Sequence, residues 1–455
     1  MRVLTWNVNG LSSTLQYYPW TEHKTYKHLL DTLNSDIICL QEIKCQRTKL
    51  PRDMALVPGY HAYFSFSKVK LGYSGVAVYI KDTFVQPQRT YEGITGILDT
   101  GSSFTYNLPT PAEKLDAEGR CIILDFGFLV LFNIYFPNDS EGTRLEFKMD
   151  YHVCVEQRVR DFLEMGKEVI LVGDINAVHE EIDHCDPKQS IREHGIKNFK
   201  DLPQRSWLDQ ILVPNGPLID MTRLYHPDRQ KMFTCWNTRT NARPANFGTR
   251  IDYVLASRGL KSWFKYSDIQ PEIMGSDHCP VYADFLDEMV DLLDKQPTTY
   301  ESPLLSHHYP EFSNKQKKLS NYFSKSTGSS TPTLSVCTPS KRSADDEMSR
   351  SCGPKKQKSI QSFFNGNSNK KDDDVDKLIQ HVEQKETTTK AWTSLFSARE
   401  VPRCKVHNEP CLERTVTKKG PNLGRIFYIC SKPIGPKDGP AHQFNCNFFQ
   451  WKTTK

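Results

Sequence analysis

From about Lys295 to Glu400 the chain runs through Ser, Thr, Pro, Lys and Asp with few large apolar residues. Such a stretch cannot bury enough surface to offset the entropy of ordering it. A chain interrupted in this way cannot be one globule. It divides into a dense block over residues 1–288, a linker over 289–400, and a small block over 401–455 that is rich again in aromatics, Cys and His. Charge divides the same way. The first block carries 32 Lys and Arg against 37 Asp and Glu, the linker 17 against 14, and the last block 10 against 3. The last block is therefore the natural electrostatic anchor for a polyanion. No apolar run is long enough for a signal segment or a membrane span, which predicts a soluble, intracellular protein.

In the first block, β-branched apolar runs (VLTW, DIICL, GVAVYI, RCIILDF, FLVLFNIYF, EVILVGD, IDYVLA, PVYADF) alternate with amphipathic stretches such as 21–34 and 144–165. The pattern predicts packed β-sheets flanked by helices, an α/β fold. Several strands finish on polar residues that a core does not want: Asn7 and Asn9, Glu42, Asn138, Asp174 and Asn176. Gathered at one sheet edge, these groups suit phosphodiester hydrolysis, which needs a hard cation, an activated water and donors for developing charge. Glu42 is an oxygen ligand fit for Mg²⁺ or Mn²⁺. Asp174 and Asn176 stand two apart in GDIN, and Asp277 and His278 form an acid–imidazole pair that Asp252 can orient.

LTWNVNG, LQE, GYSGVAVYI, IYFPN, GDIN, NARPANFGTRIDY and GSDHCP occur in that order. They resemble the motifs of the exonuclease III-like AP endonucleases, within the DNase I-like superfamily, over residues 1 to about 286. The resemblance implies a four-layer β-sandwich flanked by helices. It implies Glu42 as metal ligand, with Asn7, Asn9 and Asp277 close by and Asp174, Asn176 and His278 around the same ion. Asp174 would position or deprotonate the attacking water, His278 paired to Asp252 would contact the scissile phosphate, and Tyr135 and Asn138 would complete the transition-state contacts. One departure stands out. Where members of the family wall the abasic-sugar pocket with a Phe before the Trp matching Trp236, and with a Trp beside the Arg of RIDY, this chain has Cys235 and Thr249. A looser pocket predicts weak incision at abasic sites and stronger 3′-to-5′ exonuclease or 3′-phosphodiesterase activity.

Twice the linker fits the sliding-clamp pattern Q-x-x-aliphatic-x-x-aromatic-aromatic: Gln316, Leu319, Tyr322 and Phe323, then Gln357, Ile360, Phe363 and Phe364. Within one helical turn these apolar groups share a face that fits a greasy pocket, and in the linker they have no core to join. Lys341-Arg342 followed after twelve residues by Lys355-Lys356-Gln-Lys358 reads as a bipartite nuclear import signal, against the alternative of a solvated basic linker.

Cys404-x-x-His407, Cys430 and Cys446 supply the four ligands of a closed Zn²⁺ site, with Cys411 as the alternative to His407. GPNLGRIFYIC and CNFFQW resemble the GRF-type zinc finger, with Ile426 interposed between Arg425 and Phe427. Arg425, Lys418 and Lys419 with Phe427 suit single-stranded DNA. The expected partners are DNA and the sliding clamp, proliferating cell nuclear antigen, with the protein a nuclear monomer. The rival from another class is an inactive scaffold or checkpoint adaptor, which the intact Glu42, Asp174, Asp252 and His278 argue against.

Overall fold

The computed structural model describes residues 1–100, 108–139, 142–293, 300–312, 401–416, 422, 424–432 and 443–452. Two six-stranded sheets form the large domain. Strands β1 (Arg2–Asn7), β2 (Ile37–Gln41), β3 (Tyr60–Ser65) and β4 (Val76–Lys81) belong to the first. The second contains β5 (Arg89–Glu92), β6 (Cys121–Asp125), β7 (Leu129–Tyr135), β8 (Glu168–Asp174) and β9 (Leu218–Asp220). A short ribbon pairs β10 (Cys235–Trp236) with β11 (Gly248–Thr249), β12 (Asp252–Ser257) returns to the second sheet, and β13 (Phe264–Ile269) and β14 (Val281–Phe285) complete the first. The orders are β13-β14-β1-β2-β4-β3 and β5-β6-β7-β8-β12-β9.

The central strands are buried on both faces, which explains their nearly continuous apolar runs. Val3, Ile37, Cys39 and Val78 of one sheet pack with Leu124, Leu131, Ile170, Val172 and Val254 of the other. Each such side chain, wholly withdrawn from water, contributes about 1.5–3 kcal/mol. On the outer faces, Leu29, Leu30 and Leu33 of the helix Tyr26–Leu33 cover the first sheet. Tyr151, Val155, Val159 and Phe162 of the helix Leu145–Glu164 cover the second. Helix, sheet, sheet and helix make the four layers that the resemblance implies.

A polar bridge crosses the interior between the sheets. Gln41 Nε2 donates to Asn133 Oδ1 at 2.7 Å and to Thr5 Oγ1 at 2.8 Å, and Asn133 Nδ2 donates back to the carbonyl of Ala77 at 2.8 Å. All three side chains are fully buried, and the bonds between them offset part of the cost of burial, although Gln41 Oε1 has no partner among the described residues.

Strand register aligns the polar strand ends. In the first sheet Asn7 lies opposite Gln41 across parallel β1 and β2. In the second, Asp174 lies between Tyr135 of β7 and Asp252 of β12. Next to Asp174, a Cβ on Gly173 would meet the Ile134 carbonyl oxygen at 1.8 Å, and its φ is +139°. Only glycine lets β8 approach β7 so closely.

The globular part extends further along the chain than the sequence pattern placed it, a correction to the boundary at 288. Met289 and Leu293 are buried in the inter-sheet core. Residues 300–312 then form a strap against β3, an edge strand of the first sheet. Tyr63 bridges to Leu305, Phe64 N donates to the Leu304 carbonyl at 3.1 Å, and Ser306 Oγ donates to the Ala55 carbonyl at 2.6 Å. Leu304 and Tyr309 are buried, and the Arg47 guanidinium lies 3.7 Å from the centroid of the Tyr309 ring. Four large apolar residues, Leu304, Leu305, Tyr309 and Phe312, suffice to cover an edge that would otherwise be open.

The small domain is a three-stranded antiparallel sheet of β15 (Leu412–Thr415), β16 (Ile426–Ile429) and β17 (Phe449–Trp451). Both clamp-type motifs, the import signal, Lys418 and Lys419 lie outside the described residues. Among the described residues no helix is long and apolar enough to cross a membrane.

Candidate active site

The two aligned rows of strand ends meet through Asn7. Its Nδ2 donates to Glu42 Oε1 at 3.0 Å and to Asp174 Oδ2 at 2.8 Å, joining an acid from each sheet. Asn176 closes on the same carboxylate, its backbone N–H donating to Asp174 Oδ1 at 2.9 Å and its Nδ2 to Oδ2 at 3.3 Å. His278 Nε2 lies 4.0 Å from Asp174 Oδ2, while Nδ1 pairs with Asp252 Oδ2 at 2.8 Å. Thr234 Oγ1 donates to that same Asp252 oxygen at 2.6 Å. On the outer side Asn9 Nδ2 donates to Asp277 Oδ1 at 2.9 Å. Asn9, Glu42 and Asn176 have φ of 48°, 51° and 53°, left-handed conformations held by the surrounding bonds.

Charge is shared unevenly in this cluster. Burial pushes the Asp174 carboxyl up to about 7, opposed by the His278 charge and reinforced by Asp252. Burial alone would lower the His278 imidazolium, yet its pairing with Asp252 raises it well above the ordinary histidine range. Burial raises Glu42 too, but hydrogen bonding from Asn7 and the charge of Lys44 bring it below its usual value. Burial raises the Tyr135 phenol well above its usual value, with the Glu42 charge adding to it, so its hydroxyl remains a donor. The result is a carboxyl raised towards neutrality beside an imidazole held in its charged form, an acid–base pair of the kind that can activate water.

The site also suits a hard cation. Lys44 Nζ lies 2.9 Å from Glu42 Oε2 and also donates to Asn9 Oδ1, so a positive charge already sits among these oxygens. Carboxylate and amide oxygens are the donors that Mg²⁺ or Mn²⁺ selects. Such an ion, when bound, would neutralise charge on phosphate oxygens. Glu42 and Asn9 would hold it, with Asp277 beside Asn9.

Asn7, Asn9, Glu42, Tyr135, Asp174, Asn176, Asp252, Asp277 and His278 thus converge. Asn138 is exposed just beyond β7. Sequence reading missed three supports. Lys148 Nζ donates to the Asn176 carbonyl at 2.7 Å and steadies its left-handed backbone. Its signal was present: Lys148 falls on the buried stripe of its helix with Tyr151, His152 and Val155. Arg120, 1% exposed, donates to the Tyr135 carbonyl at 3.1 Å and lies 4.5 Å from the centroid of its ring. Thr234, holding Asp252, gave no such signal.

The two departures in the pocket wall prove to be neighbours. Cys235 and Thr249 face each other across the β10–β11 ladder, and Cys235 forms a further bridge to His278. Trp236 is buried beside them, its Nε1 donating to Asn246 Oδ1 at 3.1 Å.

In the small domain, Cys404, His407, Cys430 and Cys446 bring one ligand atom each within 4.8 Å of one another. Cys404 Sγ lies 3.3 Å from His407 Nδ1 and 3.1 Å from Cys446 Sγ. Although burial works the other way, hydrogen bonds from the His407 backbone and Cys446 bring the Cys404 thiol down to about 6, towards the thiolate that zinc binds. Cys411 packs with Cys404, Cys430 and Tyr428 in the mini-core, but its sulfur is not one of the four grouped ligand atoms. Phe427, Phe449 and Trp451 form a ring cluster, with Phe427 and Phe449 stacked at 5.2 Å. The exposed Arg425 lies 4.0 Å from the Trp451 ring centroid.

Comparison with known proteins agrees with this geometry. Residues 4–278 match the endonuclease/exonuclease/phosphatase family, and residues 402–455 match the GRF zinc finger. A Schizosaccharomyces pombe protein, DNA-(apurinic or apyrimidinic site) endonuclease 2, is 35% identical over 99% of this chain and 98% of its own length. A Bacillus subtilis exodeoxyribonuclease is 33% identical over 62% of this chain and 98% of its own length. The crystal structure of the Xenopus laevis APE2 catalytic domain is 36% identical, with a TM-score of 0.59 over 70% of this chain and 100% of that domain. With its two-sheet cluster and its Cys₃His module, the chain belongs to the endonuclease/exonuclease/phosphatase family, in the AP endonuclease 2 branch that carries a GRF zinc finger.

Proposed function

We propose that this chain is a DNA repair nuclease that hydrolyses phosphodiesters with Mg²⁺ or Mn²⁺, incising weakly at abasic sites and trimming damaged 3′ ends as an exonuclease or 3′-phosphodiesterase. The observation that carries the reading is Asp174: buried, raised towards neutrality, and set between Asn7, Asn176 and His278. Asp174 takes a proton from the attacking water. His278, oriented by Asp252, and Tyr135 donate to the phosphate as charge grows on it, and Asn138, exposed just beyond β7, completes the contacts. No covalent enzyme intermediate is needed. The names of the Schizosaccharomyces and Bacillus relatives support the two halves of the activity, and the small residues at 235 and 249 support the bias towards 3′ ends.

The finger binds single-stranded DNA through Arg425, Phe427 and the lysines at 418 and 419, and zinc supplies its folding energy. The clamp-type motifs recruit the enzyme to replicating DNA in the nucleus, where it acts as a monomer.

The test is cleavage of labelled duplexes with an internal abasic site or a recessed 3′ end, in Mg²⁺ and in Mn²⁺, by the wild type and Asp174→Ala. Faster trimming than incision, lost in the variant, is expected. A wild type inert on both substrates would return the chain to the adaptor reading.

A further inference from the structure

Tyr17 and Tyr18 are 59% and 72% exposed, two adjacent aromatic rings left in water. Neither side chain is held by a hydrogen bond or ring contact among the described residues. A single exposed aromatic is ordinary, but this pair sits on a segment that is fastened down. It follows directly on Asn9, Gly10 and the short helix Leu11–Thr14, whose Thr14 Oγ1 donates to the Val8 carbonyl at 3.1 Å. Thr21 N donates to the Tyr17 carbonyl at 3.1 Å and closes a turn around the pair.

Two buried tryptophans then tie this segment to the loop that carries Asp277 and His278. Trp20 Nε1 donates to the Met274 carbonyl at 2.7 Å, and Trp6 Nε1 donates to the His278 carbonyl at 3.1 Å. The two indoles lie 6.4 Å apart, centroid to centroid. Gly275 has no room for a side chain here: a Cβ would meet Trp20 Nε1 at 2.8 Å and Thr14 Cγ2 at 2.9 Å. The tyrosines therefore keep a fixed offset from the catalytic cluster.

We propose that Tyr17 and Tyr18 form a stacking platform for unpaired bases of the DNA strand being cut, beside the active site. This rests on the nuclease reading above. Part of any strand held at a phosphodiester-cleaving site continues past it, and the flat faces of its bases match exposed tyrosine rings whatever their sequence. Between residues 10 and 30 the only acid is Glu22, against Lys24 and Lys27, so the local charge does not repel a phosphate backbone. The backbone beneath the rings is already fastened in the free protein, so binding has only the two side chains left to order.

The test has two arms on the full chain. In the first, steady-state kinetics compare the wild type, Tyr17→Ala/Tyr18→Ala and Tyr17→Phe/Tyr18→Phe on a duplex whose end to be trimmed carries unpaired nucleotides. The alanine pair is expected to raise KM roughly five- to a hundredfold while kcat moves less than about twofold, and the phenylalanine pair to restore KM. In the second, the same substrate carrying 5-iodouridine in its unpaired tail is photocrosslinked to the wild type and mapped by mass spectrometry. Crosslinks at Tyr17 or Tyr18 are expected. Cleavage with unchanged KM and crosslinks only elsewhere would overturn the platform while leaving the nuclease reading intact. Crosslinks at the tyrosines in a protein that cuts nothing would support the platform and sink the nuclease reading. An unchanged KM with no crosslink at all would overturn it as well.

Discussion

His278 Nδ1 lies 2.8 Å from Asp252 Oδ2, and the same oxygen accepts from Thr234 Oγ1 at 2.6 Å, so the imidazole is set by an acid that is itself set by a threonine. Asp252→Asn removes the charge while keeping the shape. It is expected to lower kcat roughly a hundredfold or more, with KM and the folded CD spectrum little changed. A variant with full kcat would show that His278 needs no partner.

Because Cys235 and Thr249 face each other across one ladder, two rings placed there would wall the same pocket. Cys235→Phe combined with Thr249→Trp is expected to raise abasic-site incision relative to 3′ trimming. The ratio of the two rates on matched duplexes is the readout, and an unmoved ratio would mean the wall does not set the preference.

Zinc content separates His407 from Cys411. Metal analysis of purified protein should give one bound zinc per chain, retained in Cys411→Ser and lost in Cys430→Ser and His407→Ala. Binding of single-stranded oligonucleotides should be lost along with the metal.

His152 is wholly buried, its Nδ1 against the Lys148 carbonyl at 2.6 Å and its Nε2 without a partner among the described residues. Burial, aided by the Lys148 charge, lowers it to about 3. The unfolded chain binds this proton near pH 6.5 and the folded chain only near 3, so stability is complete above 6.5 and drains away as pH falls between the two. By pH 5 the loss is on the order of 2 kcal/mol. Urea unfolding from pH 7 to 5 should show this slope, and His152→Leu should reduce it whatever its absolute stability, leaving the part that His184, lowered by burial to about 4, contributes.

The strap predicts where the catalytic domain can be cut. A chain ending after residue 293 should melt at a lower temperature than one ending after 315, and should self-associate through the uncovered β3 edge. In the full chain, Leu304→Ala should cost about 2–5 kcal/mol. Equal melting temperatures for the two truncations would mean that the strap does not hold.

What was legible in the sequence was what a strand end cannot hide. Asp174 stands where an apolar run stops, while Asp252 opens its strand and Tyr135 came only through the family resemblance; register lines the three up on neighbouring strands. The zinc ligands were equally open, since their spacing needs no tertiary structure to be noticed. His407 and Cys411 both lie close to Cys404 in sequence, and only the three-dimensional grouping of His407 with Cys404, Cys430 and Cys446 tells them apart. Arg120 and Thr234 were hidden for the opposite reason: each acts through a residue distant in sequence, and nothing local marks it. The strap was hidden by averaging, its few apolar residues lying among Ser, Pro and His, in a stretch whose composition predicted no packing.

The Gln41–Asn133 bridge behind Glu42 has a further consequence. Glu42 and Asn7 ride on one sheet and Asp174 and Asp252 on the other, so the catalytic distances measure how the sheets are registered against each other. Interdigitated apolar side chains resist separation and sliding alike, and a directional bond adds one fixed register to that resistance. The bridge acts as a shear pin. Were it removed, as in Asn133→Leu, the sheets could slip past one another by a fraction of a bond length, and catalysis would fail well before the fold did.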